Sequence, residues 1–85
     1  NYPNPFNPVT SISFTVPVTT PATLDIFNIL GMKVATVFNG MAQAGRNDVV
    51  WNGTGDDGHA VASGIYFYRL KTAAFEQTRK MVLMK

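Results

Sequence analysis

A chain of 85 residues without cysteine allows one small domain, with neither disulfides nor a thiolate metal site. Its hydrophobic share of 46% against a charged share of 14% excludes a highly charged, disordered chain. A net charge of +2 is too small for a nucleic-acid surface, and no apolar run is long enough to cross a membrane as a helix.

The opening, NYPNPFNP, does not begin a core. Pro3, Pro5 and Pro8 remove backbone donors, fix φ, and push Tyr2, Asn4 and Asn7 toward extended conformations. Residues 1–9 therefore read as a stiff linker from a preceding domain, and residues 10–85 as the domain itself. The chain reads as the last module of a longer protein.

TSISFTV alternates, with Ile12, Phe14 and Val16 on one side and Ser11, Ser13 and Thr15 on the other. This predicts a half-buried strand closed by Pro17. ATLDIFN comes next, with Leu24 and Ile26 inward. NILG predicts a type I turn in which Gly31 takes positive φ and forms a glycine bulge. MKVATVF is the hairpin partner, though neither phase of its alternation is clean. Asn39-Gly40 and Gln43-Ala44-Gly45 read as loop punctuation. NDVVW gives a strand with Val49 and Trp51 on one side. GIYFYRLKT is apolar on both faces, as a strand covered on both sides would be, and Gly64 at its start predicts a close backbone approach. After a break at Ala73 and Ala74, FEQTRKMVLMK is the final strand. It sets Lys80, Val82 and Met84 on one face and Met81, Leu83 and Lys85 on the other. Short strands at intervals of roughly eight to twelve residues predict an all-β antiparallel sandwich, with Ile12, Phe14, Leu24, Ile26 and Trp51 in one core.

Three chemical readings compete with a purely structural one. His59, Asp57 and Ser63 are close in sequence, but no nucleophile turn surrounds the serine, so no catalytic residue is assigned. Asn52, Asp56 and Asp57 in NGTGDDGH are oxygen donors of the kind calcium takes. The acidic spacing of a calcium loop is missing, however, and Asx side chains cap turns of this composition. No metal or cofactor is assigned. Trp51, Tyr66, Phe67 and Tyr68 could form a sugar platform. Trp51 shares the phase of Val49, though, and a small sandwich needs large aromatics in its core. An exposed patch around Phe27 and one face of IYFYR would instead mark a partner surface.

The segments NYPNPFNP, FNILGMKVATVFNG, WNGTGDDGHAVASGIYFYRLK and TRKMVLMK occur in an order that resembles the C-terminal sorting domains of bacterial type IX secretion cargo. That kind of domain is also similar to the immunoglobulin-like domain of the flagellar hook-capping protein. The resemblance extends over essentially the whole chain. It implies an immunoglobulin-like antiparallel sandwich of about seven strands. It also implies a non-catalytic address label, read by an outer-membrane translocon and in many members removed by a sortase-like protease. The cargo would be a domain N-terminal to it in the same chain, destined for secretion or the cell surface after passage through the periplasm. Neither a nucleic-acid partner nor membrane insertion of its own is implied. Translocon recognition falls on Lys80, Met81, Val82, Leu83, Met84 and Lys85, where a strand could pair with a foreign sheet edge. Gly31 and Gly64 are expected as structural turn glycines. The main alternative is a structural immunoglobulin-like module for protein assembly, of the hook-cap type. A carbohydrate-binding module comes third.

Overall fold

The computed structural model describes residues 10–84, and all regular structure in them is β. Six strands succeed one another: β1 Thr10–Val16, β2 Thr20–Asn28, β3 Lys33–Ala42, β4 Gly45–Trp51, β5 Gly64–Thr72 and β6 Glu76–Leu83. β1 and β4 pair as a two-stranded sheet, and the rest form a four-stranded sheet in the order β3-β2-β5-β6. All four pairings are antiparallel. The expected sandwich is present with six strands where about seven are typical. Residues 52–63 are apolar too rarely to make another strand. They form turns, with one bridge between Thr54 and Ala60. The linker assigned to residues 1–9 lies outside the described residues.

The core arises from alternation. Ile12, Phe14 and Val16 of β1 face Leu24 and Ile26 of β2, and Trp51, Tyr66, Leu70 and Leu83 complete the layer. All five residues assigned to the core by pattern are in it. Trp51 is 2% exposed, which places it in the core and not on a sugar-binding platform. Its ring meets Tyr66 edge-on at 5.6 Å, and Phe14 meets Phe38 in the same manner at 5.6 Å. Such pairs add about 0.5–1.5 kcal/mol beyond the area they bury. The polar ends of the first pair are met as well. Trp51 Nε1 donates to the Thr54 carbonyl at 2.9 Å, and the Tyr66 hydroxyl donates to the Ala62 carbonyl at 2.7 Å.

β3 loses its alternation for a definite reason. Its pairing with β2 slips between Leu24 and Asp25 and again between Ile26 and Phe27, leaving Val37 and Val34 as extra residues on β3. Each extra residue reverses the phase of the alternation beyond it. Asn39 and Gly40, expected in a loop, are inside this strand. They sit at its exposed edge, where glycine is tolerated.

The β2–β3 hairpin turns through a three-residue loop. Gly31 N–H donates to the Asn28 carbonyl at 2.9 Å, and Gly31 has φ +83°. The Asn28 side chain accepts from the N–H groups of Leu30 and Met32 at 2.9 and 3.0 Å. This is the expected type I turn with a glycine bulge. Gly64 is different. A Cβ there would meet nothing within 4 Å, so close approach is not its role. Its φ of +154° is, since L side chains rarely adopt that conformation.

Trp51→Ala should lower the unfolding free energy by ~3–5 kcal/mol, read by denaturant titration. A loss under ~1 kcal/mol would place the indole outside the core. Gly31→Ala should lower stability by more than the ~0.4–1 kcal/mol that stiffening the unfolded chain returns. A raised melting temperature would refute the positive-φ turn.

Candidate functional site

β6 ends the four-stranded sheet and pairs only with β5, from Gly64↔Leu83 to Lys71↔Glu76. Its other side is an open edge among the described residues. Within the predicted recognition segment, Leu83 is buried and Met81 half-buried, both facing the core. Lys80, Val82 and Met84 face outward and are exposed, Val82 by 57% and Met84 by 77%. From Lys80 to Met84 the predicted division of faces holds, so the segment is not one surface. Met81 and Leu83 hold the strand down, and Lys80, Val82 and Met84 are available to a partner. Lys85 lies outside the described residues.

The outer face of this sheet is apolar toward the hairpin end. Register places Lys33, Phe27, Phe67 and Lys80 in one row across the four strands, with Ile65 and Val82 paired beside it. Phe27 and Phe67 are half-buried, Ile65 is 43% exposed, and the hairpin tip adds Ile29 and Leu30. β5 is therefore covered on its inner side only, contrary to the pattern-based expectation. On that outer face β5 supplies a cation to its neighbour: the Arg69 guanidinium carbon stands 4.5 Å from the centroid of the Phe27 ring of β2. Arg69 Nε is buried without a hydrogen-bond partner, its closest acid being Glu76 at 3.8 Å. That distance serves an ion pair but no hydrogen bond. The aromatic half of this patch is legible in the sequence as IYFYR. Arg69 leaves no such signal, because its contact with Phe27 joins two strands far apart in the chain.

Residues 52–63 are occupied with their own turns. Asn52 accepts from Thr54 N–H at 3.0 Å and Asp57 from His59 N–H at 2.9 Å, both as Asx turns. Asp56 reaches across to β3. Its N–H donates to the Val34 carbonyl at 2.9 Å, and its carboxylate accepts from Thr36 N–H at 3.2 Å. A Cβ on Gly55 would come within 3.2 Å of the same carbonyl, so glycine permits this approach. The loop thus caps the β3 edge at the Val34 bulge. Among the described residues no group of three or more His, Cys, Asp or Glu could hold a metal ion. His59 and Asp57 lie 3.4 Å apart with side chains 85% and 71% exposed. A triad aspartate works from a buried position, which Asp57 lacks. The His59 backbone N–H, and then its side chain, hold the Asp57 carboxyl below its ordinary value.

The outward face of the small sheet carries a polar network. Ser13 Oγ donates to Asp48, Arg46 Nε donates to Asp48 at 3.0 Å, and Arg46 Nη2 donates to Ser13 Oγ at 3.2 Å. Ser13 first and Arg46 second hold the Asp48 carboxyl below its ordinary 3.8.

Two antiparallel sheets, an open sheet end and a loop occupied with its own turns define an immunoglobulin-like β-sandwich module. Residues 4–74 match the family model described as the FlgD Ig-like domain, and the chain belongs to that family. Its fold is similar to the crystal structure of FlgD from P. aeruginosa, with a TM-score of 0.74 at 19% identity. The match covers 89% of this chain and 60% of that one, so the chain spans about 60% of the length of its structural neighbour. At that identity the likeness concerns the fold. No match was found among curated proteins.

The surface network sets an acid limit. Because the folded-state pKa of Asp48 is depressed, its contribution is full above the ordinary value of 3.8 and is lost as pH falls through the lowered one. The stability difference between the parent and Asp48→Asn should therefore shrink as pH is lowered below that value. A difference that stays constant with pH would rule out the linkage.

Proposed function

We propose that this chain is a non-catalytic immunoglobulin-like module that joins the polypeptide carrying it to another protein. The observation that carries this reading is the position of β6. It is an end strand with an open edge, and Lys80, Val82 and Met84 are exposed beside the apolar face of Ile65 and Phe67. Strand addition at such an edge gives affinity through main-chain bonds, while alternate side chains give specificity. Membership of the FlgD Ig-like family supports an assembly role of the hook-cap type.

A second, finer reading is a C-terminal sorting domain of the type IX kind. It is favoured by the ordered segments from NYPNPFNP to TRKMVLMK, and it uses the same strand. Its partners would be an outer-membrane translocon and a sortase-like protease, its cargo an N-terminal domain, and its destination the cell surface or medium by way of the periplasm.

One experiment separates the two. The chain is fused behind a reporter that carries a signal peptide, in a host with a type IX system. Under the sorting reading the reporter reaches the surface or medium. The Lys80→Ala/Lys85→Ala double variant, used once its measured unfolding free energy is within ~0.5 kcal/mol of the parent's, remains in the periplasm. Retention of the parent fusion in the periplasm would discard sorting and leave the assembly module. Export of a fusion lacking residues 80–85 would remove β6 as the recognition element.

A further inference from the structure

The four-stranded sheet is wider than the sheet that covers it. Along the first half of β6, Gln77 and Arg79 point to the inner side, opposite Leu70 and Tyr68 of β5, yet both are exposed. Only Met81 and Leu83, nearer the Trp51 end, are covered. Beside this uncovered stretch runs an edge of β1 that is free among the described residues, where β1 pairs with β4 alone. Between them lies an open groove of about 260 Å³, walled by Phe14 and Thr15 of β1, floored by Tyr68 and Leu70, and bounded by Gln77 and Arg79.

The sheet edges differ in how they are protected. Unpaired strands normally carry charges, bulges, prolines or a covering loop, which deter addition of another strand. β3 has its two bulges and the loop anchored by Asp56. β4 carries Arg46 and Asp48, and β6 carries Arg79 and Lys80 in its middle, which leaves only its uncharged Met81–Leu83 end to the strand addition proposed above. Among the described residues β1 has none of these. From Thr10 to Val16 it holds no charge, no proline and no glycine, and its register with β4 is unbroken. Its edge is seven residues long, and Ser13, Phe14 and Thr15 in its middle line the groove.

We propose that this edge receives one extended segment of another polypeptide, alternating apolar and polar residues, with a carboxylate set against Arg79. Main-chain bonds to β1 would hold the segment. Its apolar side chains and the carboxylate would face Tyr68, Leu70 and Arg79, and its remaining polar ones would lie beside the row Ser11, Ser13 and Thr15. Charge complementarity selects the carboxylate, since Arg79 makes no ion pair among the described residues. Geometry excludes a second copy of this chain. Opposed side chains in an antiparallel pair point the same way, so two β1 strands joined about a two-fold would place both four-stranded sheets on one side. Each β6 extends past its own β1 and would enter the space of the other. A lone segment meets no such obstacle.

The test is a titration of the ¹⁵N-labelled 85-residue chain with a capped peptide, Ser-Val-Thr-Val-Thr-Glu-Thr, whose glutamate shares the inward face with the valines. Amide shifts should appear in Ser11 to Val16 and at Gln77 and Arg79. Arg79→Glu, an exposed change that leaves the melting temperature within a few degrees, should weaken binding at least tenfold. Lysine in place of the peptide glutamate should restore it. Shifts confined to the outward residues of β6, no shifts in β1, or equal affinity for Arg79→Glu would each overturn the proposal.

Discussion

The contact between Trp51 and Tyr66 joins the two sheets at one end of the sandwich. Trp51 closes β4 and Tyr66 stands near the start of β5, with residues 52–63 between them. The edge-on ring pair fixes the spacing of the layers there. Both rings also hold that intervening loop, through the Thr54 and Ala62 carbonyls. With its two ends pinned, the loop is placed so that Gly55 and Asp56 lie against β3. One aromatic pair therefore supports the core, the loop and the protection of a distant edge. Buried polar atoms such as the indole nitrogen are costly when left unmet, which is why Thr54 must lie where it does.

That arrangement also separates structural from accessible parts of the surface. The acidic and glycine-rich loop, the most conspicuous polar stretch in the chain, is committed to its own turns and to β3. The exposed features that remain belong to strands and one hairpin: the Ile65–Val82 pair, the Ile29–Leu30 tip, Lys80 and Arg79, and the Ser13–Arg46–Asp48 network. A module of this kind offers main-chain edges and flat faces, which suit contact with other chains far better than chemistry on a small molecule.

The parts of this fold that could be read from sequence are those governed by local rules. β1 and the first half of β2 alternate because one side of each is buried, and Ile12, Phe14, Leu24 and Ile26 are inward as their spacing requires. Gly31 was legible because a three-residue hairpin loop needs positive φ at that place. β3 was not, since the bulges at Val34 and Val37 involve ordinary valines whose displacement appears only against β2. The role of Asp56 was hidden for a similar reason, as its partner Thr36 is 20 positions away. At the candidate site, the inward and outward faces of β6 were legible from alternation. Its place at the end of the larger sheet was not, because strand order depends on long-range pairing. The same applies to the unequal widths of the sheets, and hence to the groove beside β1.

The ends of the described chain lie at one pole. Thr10 is paired with Trp51, and Leu83 with Gly64, two residues from the Tyr66 that Trp51 touches. A pull exerted between these ends would not load the strand pairs along their length, where many hydrogen bonds share the force. It would peel β1 from β4 and β6 from β5 one bond at a time. Mechanically the sandwich behaves as a zipper whose two sliders sit side by side, so it yields to modest tension from that pole and resists tension applied across it.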